Sequence, residues 1–252
     1  MLGGRSPALV ARSVVEPEQY RALGRMVRLY PHFGDVARRY FIGSGSYPYR
    51  CRVRTPTGEV CPTTYTHHDI FTVHEIFGRE DYQVGPDLRT VVDIGSNIGI
   101  SALYFLSRNS AARAYLFEPV PRNVERLHQN LQGYEGRYVL AAVAVGPQES
   151  MVEFTIEETG RYGGIGVPGD QRIQVRCQAV ANIIDEVLER EDQIDMLKID
   201  TEGAERATIE ALRPEQLSRI TTICFETRTP FNPDPKRFAM TFACETCRLE
   251  QR

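Results

Sequence analysis

From residue 90 to residue 225 the chain alternates short apolar runs with helical stretches, and nothing else in the sequence constrains the fold as strongly. Residues 90–94 (TVVDI) read as a strand, 98–108 as a helix, 114–117 as a strand and 121–131 as the next helix. Residues 138–145 give a third strand, 181–188 a helix, 195–199 a strand, 204–212 a helix and 220–225 a further strand. Near-continuous apolar runs suit strands buried on both faces. Helices between them supply the crossovers that parallel pairing requires. The pattern predicts an α/β fold with a doubly wound, Rossmann-like sheet and a site beyond the C-terminal ends of its strands. Two β-rich runs, 151–156 and 173–179, interrupt the alternation and are expected to pair as an antiparallel excursion.

The flanks have a different texture. Residues 7–41 read as helical, with Ala8, Leu9, Ala11, Tyr20, Leu23, Met26, Val27 and Tyr30 as apolar positions and Pro31 as a break. Residues 49–59 alternate around a turn and predict a small hairpin. Residues 66–78 have helical spacing, with Ile70, Val73, Ile76 and Phe77 on one side and Gly78 as the stop. Little chain follows Thr227. Residues 228–236 are proline-rich, and 238–252 supply at most one short hairpin. The closing strands of the sheet are therefore expected to be abbreviated or completed by a second chain.

The 252 residues, 42% of them hydrophobic, suffice for one sizeable core. A net charge of −3 without a basic block argues against a nucleic-acid partner. No window is apolar enough to span a bilayer, and residues 1–23 lack a signal-peptide core, so no membrane partner and a cytoplasmic location are expected. Of the six cysteines only Cys244 and Cys247 have metal-ligand spacing, and a structural zinc site needs a second such pair. Reduced thiols and no metal site are the expectation.

Three motifs carry the chemistry. The first, VVDIGSNIG at 91–99, is a strand, a glycine turn and a helix start. Gly95 would let backbone approach a ligand, Gly99 would let the helix pack tightly on the sheet, and the helix start offers N–H groups to a carboxylate. A dinucleotide fingerprint needs glycine where Asn97 stands, and a P-loop needs a following Gly-Lys-Ser/Thr. Asp93 would repel a pyrophosphate but suits an ammonium, and S-adenosylmethionine carries both an ammonium and a sulfonium. A plain strand–turn–helix without ligand is the bland alternative. In the second motif, YLFEP at 115–119, Glu118 ends a strand at the distance past the glycine turn where an acidic residue accepts hydrogen bonds from a ribose diol. Pro119 and Pro121 set the turn that follows. The third, DMLKIDTEGAE at 195–205, crowds charge at a strand end, which is costly unless paired or functional. Lys198 is expected to pair with Asp200 or Glu202. Asp200 or Thr201 would cap the next helix and Glu205 would favour its dipole, while Asp200 and Glu202 are active-site candidates.

Together VVDIGSNIG, FEPVPRN and LKIDTEGAE resemble the FkbM family of methyltransferases, over about residues 66–226. The resemblance implies a class I methyltransferase sheet with S-adenosyl-L-methionine as cofactor. Asp93, Gly95 and Asn97 would hold its methionine part and Glu118 its ribose, with Ala142 or Val143 near the adenine. Ser96, Pro119 and Asp200 complete the implied cofactor-binding set. The implied reaction is O-methylation of a hydroxyl on a small molecule, a secondary metabolite or its sugar. A nitrogen or glycan acceptor stays open, as do a non-catalytic methyltransferase-like binding module and an NAD-dependent oxidoreductase. For the base that takes the acceptor proton, His67, His68, His74, Asp200 and Glu202 are candidates, with Asp200, Glu202 and His68 foremost. Residues 66–252 would form the catalytic domain. Residues 1–65 would form a helical and hairpin extension giving substrate or homodimer contacts. The glycine-rich stretch 160–166 reads either as a mobile cover or as a plain hairpin connection.

Overall fold

Residues 24–156, 163–165, 171–201 and 203–252 are described by the structure, a computed structural model. The chain divides into two compact units, Met1–Gln83 and Val84–Arg252, so the boundary expected at 65/66 falls inside the first.

In the first unit residues 24–29 are helical, as expected; positions 7–23 of that stretch lie outside the described residues. Helix α1 (Phe33–Ala37) runs into a π-helical turn, Arg38–Ile42. Four short strands follow: β1 (Tyr49–Arg50), β2 (Val53–Thr55), β3 (Gly58–Val60) and β4 (Thr63–Thr64). The β2–β3 hairpin sets Val53 opposite Val60, and β1 and β4 pair outside it, a longer excursion than the 49–59 hairpin anticipated. Helix α2 (His67–Val73) starts at a capping box: the Thr66 hydroxyl accepts from Asp69 N at 3.3 Å and the Asp69 carboxylate accepts from Thr66 N at 2.9 Å. Thr66→Ala is expected to cost about 1 kcal/mol in thermal or denaturant unfolding. Gly78 does not end the helix. A π turn continues to Arg79, and Glu80 takes the left-handed stop at φ 60°. A Cβ on Gly78 would lie 2.4 Å from His74 Nδ1, so this glycine makes room for the buried imidazole.

The second unit follows the predicted alternation: β5 (Thr90–Ile94), α3 (Ile100–Leu106), β6 (Arg113–Phe117), α4 (Pro121–Asn130) and β7 (Tyr138–Ala141). Then come β8 (Ala144–Gly146), β9 (Ser150–Ile156), β10 (Gly163–Ile165), β11 (Gln171–Ala179), α5 (Val180–Leu188) and β12 (Ile194–Ile199). The chain closes with α6 (Glu205–Glu210), α7 (Pro214–Leu217), β13 (Ile220–Glu226), β14 (Phe238–Ala243) and β15 (Thr246–Gln251). The seven-stranded sheet has the order β14-β15-β13-β12-β5-β6-β7. Its strands from β7 to β13 run parallel, and β15 and β14 are antiparallel. The winding reverses between β5 and β12, which makes their C-terminal ends the natural crevice of a doubly wound sheet. Helix α3 packs against β5, β6 and α4. On the opposite face Val92, Ile94, Phe117, Leu197, Ile199 and Phe225 form one core with Val180, Ile183, Ile184 and Ile209 of α5 and α6.

Two expectations change. The run 138–145 is not one strand: β7 ends at Ala141, and after Ala142 and Val143 the chain re-enters as β8, parallel to β11 in a separate four-stranded sheet. Here β9 and β11 pair antiparallel as anticipated. An edge strand has no neighbour holding it on its outer side, so β7 can leave the sheet there. The C-terminal end is also not abbreviated. Phe238–Arg252 folds as a hairpin of two six-residue strands and seats β15 on β13, with Phe225 opposite Cys247. Cys244 and Glu245 supply the tight turn, both at positive φ (50° and 62°). Cys244 is exposed there while Cys247 is buried and its thiol lies against the Phe231 carbonyl, so the two cysteines serve different surroundings. No described helix is long and apolar enough to cross a membrane.

Candidate active site

Buried strands β5, β6 and β12 end together, and the turns leaving them interlock. Gly95 N and Ser96 N both donate to the Phe117 carbonyl at 3.0 Å, and Asp200 N donates to Ile94 O at 3.0 Å. The Ser96 hydroxyl, 1% exposed, donates to Asp93 O (2.7 Å) and accepts from Phe117 N (3.2 Å), so this side chain builds the turn. Gly95 has φ 78°, and a Cβ there would lie 1.9 Å from the Asp200 carbonyl oxygen. The close approach read for Gly95 is therefore to the chain's own backbone. At Gly99 the close neighbour is Leu127 of α4, at 3.0 Å from a built Cβ, in place of the sheet.

Beneath the turn lies a buried ion network. Lys198 and Asp93 are register partners on β12 and β5. Lys198 Nζ lies 3.0 Å from Asp93 Oδ1 and 3.5 Å from Asp200 Oδ2, and donates to Gly95 O at 2.9 Å. The Ser101 hydroxyl donates to Asp93 Oδ2 at 2.6 Å. The side chains of Lys198 and Asp93 are 2% and 0% exposed. Burial works against the ammonium, but the two carboxylates outweigh it and raise the Lys198 pKa, so the lysine stays charged. Asp93 thus has no exposed carboxylate to offer an ammonium; it anchors Lys198 and, through it, the turn. The pairing of Lys198 with Asp200 expected from the motif is present, but the shorter contact is to Asp93.

Glu118 sits at the end of β6, 4% exposed. Its Oε2 accepts from Asn97 N at 2.9 Å, and its Oε1 accepts from Val120 N at 2.9 Å and from Asn123 Nδ2 at 3.3 Å. Burial pushes its pKa up to about 7, against the opposing pull of these donors and of Lys198. Asn97 takes φ 47°, which turns its N–H onto the carboxylate. Asn123 was missed in the sequence; five residues past Glu118 on the first turn of a helix that Pro121 begins, its spacing was the available signal. Pro119 is buried in the turn. Beyond β7, Ala142 is exposed and Val143 is partly buried against the core, apolar surface next to the Glu118 turn, whose N–H bonds Ala141 O at 3.3 Å.

Asp200 keeps 29% of its side chain exposed at the end of β12. Desolvation raises its pKa; Lys198 opposes the rise, and Glu205 and Asp93 add to it. Glu205 folds back on the turn before α6, accepting from Thr201 N (2.9 Å), Thr201 Oγ1 (3.2 Å) and Gly203 N (3.0 Å). Glu205, not Asp200 or Thr201, thus satisfies the free N–H groups of that turn. Glu202 lies outside the described residues, as do parts of 160–166.

The candidate histidines belong to the first unit. His68 is exposed on α2, and the neighbouring Asp69 is committed to the helix cap, so it does not orient the imidazole. His67 packs edge-on to Phe71 with its pKa lowered by burial and by His68. His74, held down to about 4 by burial and then by Arg79, is a core residue 3.4 Å from the Tyr30 hydroxyl. Among the described residues no group of three or more His, Cys, Asp or Glu is arranged to hold a metal ion.

The family model described as the methyltransferase FkbM domain matches residues 93–243. The methyltransferase sdnD of Sordaria araneosa is 24% identical over 208 residues, 66% of this chain and 77% of that protein. The AMB antimetabolite synthetase AmbE of Pseudomonas aeruginosa is 29% identical over 201 residues, 65% of this chain; the match spans only 9% of that much longer protein. Among solved structures, the methyltransferase FkbM of Methylobacillus flagellatus superposes with a TM-score of 0.46 at 15% identity, covering 73% of this chain and 54% of its own. A methyltransferase from Geobacter sulfurreducens gives 0.42 at 16% identity, covering 72% and 78%.

Proposed function

The chain belongs to the FkbM family of methyltransferases, and on that premise we propose that it transfers a methyl group from S-adenosylmethionine to a hydroxyl of a small molecule, a secondary metabolite or its sugar. The observation that carries the cofactor reading is the Glu118 carboxylate. It is buried at the end of β6, locked by the Asn97 and Val120 amides, and its two oxygens have acceptor capacity beyond the three donors they already receive. Of the roughly four lone-pair sites on a carboxylate one remains, which fits one hydroxyl of the ribose diol. The name of AmbE, an antimetabolite synthetase, supports an acceptor from secondary metabolism.

S-adenosylmethionine supplies a methyl group already activated on a sulfonium. The chain's own work is binding, alignment and proton acceptance. Glu118 would take a ribose hydroxyl and Ala142 and Val143 the adenine, while the 95–97 turn, its amides spent on Phe117 O and Glu118, would line the methionine end by contact alone. Asp200 accepts the proton from the acceptor hydroxyl. Its partial exposure leaves it reachable, and its raised pKa makes it a stronger base than an ordinary carboxylate.

Calorimetric titration with S-adenosylmethionine and S-adenosylhomocysteine, with NAD as control, tests the cofactor. Saturable binding to the wild type, loss in Glu118→Ala and no response to NAD are expected; NAD binding would overturn the reading. The pH dependence gives a second check. The diol bonds best to an ionised carboxylate, and Glu118 gains its proton as pH falls through about 7. Affinity should therefore weaken from pH 8 to pH 6 and be nearly flat in Glu118→Gln. For the acceptor step, Asp200→Asn should lower kcat by roughly 10²–10⁴-fold with cofactor affinity retained.

A further inference from the structure

Methyl transfer leaves one charged surface of the first unit unused. The strand pairs β1–β4 and β2–β3 share a single register. Arg50 stands opposite Thr63, Val53 opposite Val60 and Arg54 opposite Glu59, and between them Cys51 N donates to Pro62 O at 2.9 Å. Residues 49–64 are thus one two-stranded ribbon. Side chains alternate across such a ribbon. Cys51, Val53, Val60, Pro62 and Thr64 are buried on one face, and Arg50, Arg52 and Arg54 stand in line on the other, all exposed.

Opposed residues share a face, so Thr63, Cys61 and Glu59 are the cross-strand neighbours of the three arginines. Glu59 is the one carboxylate among them, and it lies 4.0 Å from Arg54. Arg54 is held further by the Arg28 carbonyl, which accepts from its guanidinium at 2.8 Å. At the other two rungs the opposite position is neutral. Among the described residues, Arg50 and Arg52 make no side-chain hydrogen bond or ion pair. The ribbon therefore completes one guanidinium–carboxylate rung and leaves two open. A surface that serves solubility alone intersperses both signs. This one runs in a single sign, in a chain whose net charge is −3.

We propose that the open rungs dock an acidic helix of a partner protein. Residues two apart on a strand are about 6.8 Å apart, and residues four apart on a helix are about 6 Å apart. Side-chain length absorbs the difference, so glutamates at successive i, i+4 positions meet Arg50 and Arg52 as Glu59 meets Arg54. A guanidinium grips a carboxylate with two parallel hydrogen bonds, which fixes orientation as well as attraction. A nucleic-acid backbone fits less well. It spreads its charge over a length that three rungs, about 14 Å end to end, do not cover, and the net negative charge of the chain repels it.

The test uses the full-length chain and a labelled alanine-based helical peptide with glutamate at every fourth position, followed by fluorescence anisotropy. Saturable binding that weakens as salt is raised is expected, with none for the glutamine version of the peptide. Reversing both open rungs, Arg50→Glu with Arg52→Glu, should weaken binding by at least about tenfold, and the reversed protein should bind the lysine version of the peptide instead. Its thermal midpoint and its affinity for S-adenosylmethionine should be kept, because both side chains are exposed and neither belongs to the cofactor site. Arg172→Glu with Arg176→Glu makes the same change of net charge on another exposed surface, where the arginines already pair with Glu153 and Glu149, and should leave peptide binding in place. A wild type that ignores the glutamate peptide, an equal loss in the two double variants, or tighter binding of single-stranded oligothymidylate or of anionic phospholipid vesicles than of the peptide at the same salt would each overturn the proposal.

Discussion

Lys198→Met is expected to cost about 3–5 kcal/mol of folding stability, read as a lowered midpoint in urea or guanidinium unfolding. The reason is the company the lysine keeps. Its ammonium is buried 3.0 Å from Asp93, a carboxylate with no exposed surface. Removing the cation leaves an anion in the core that water cannot reach and that, among the described residues, the Ser101 hydroxyl alone still solvates. Asp93→Ala should cost a similar amount from the opposite side, by stranding the ammonium. The double variant Asp93→Asn with Lys198→Met removes both charges together. It should recover much of the loss, because well-packed neutral groups often replace a buried pair at little cost. Equal destabilisation of the double and single variants would show that packing, not charge, dominates here. The double variant also separates stability from function. Asp200 loses both the cation that opposes its raised pKa and the weaker upward push of Asp93; the loss of Lys198 outweighs, so the acidic limb of its pH–rate profile should move to higher pH.

The second large effect is expected at Gly95. Gly95→Ala must place a methyl group 1.9 Å from the Asp200 carbonyl oxygen while holding φ at 78°. Overpacking costs about 1–3 kcal/mol, and the left-handed conformation adds about 1–2 kcal/mol for a residue with a Cβ. The site can relieve this only by parting the β5 and β12 turns. Asp200 N then loses Ile94 O, and Lys198 loses Gly95 O. Cofactor binding by calorimetry should fall below detection even under conditions where the variant stays folded. The contrast is Gly99→Ala, which carries the same left-handed strain (φ 83°) but whose nearest obstacle is Leu127 Cγ at 3.0 Å, with no backbone atom closer than 3.4 Å. The clash there is with a side chain and leaves the bonds between the β5 and β12 turns intact, so more binding should survive than in Gly95→Ala. Comparable loss in both variants would argue against the backbone clash as the cause.

The place of Glu118 was legible from one dimension because it depends on chain order. A glutamate ending the strand after the glycine turn lands beside that turn in any doubly wound sheet. Asp93 was half legible. Its position in a strand before the turn was correct, but an ammonium ligand and a buried counter-ion carry the same residue at the same place. Only the register, which sets Lys198 beside it, separates them. The histidines of 66–78 drew attention for their chemistry, whereas burial and capping decide what they do: His74 fills the space left by Gly78, and Asp69 is spent on Thr66.

The sequence by itself determined the alternating elements, the parallel sheet and the location of the three motifs at its strand ends. These follow from hydrophobic period and from crossover length, which are properties of neighbouring residues. Tertiary structure alone decided that Lys198 serves Asp93, that Gly95 yields to the Asp200 carbonyl, and that Phe238–Arg252 closes the sheet by itself. Each depends on which strands lie side by side and in what register. That choice is made by burial of the whole core at once, through contacts between residues far apart in the chain, and no local pattern records it.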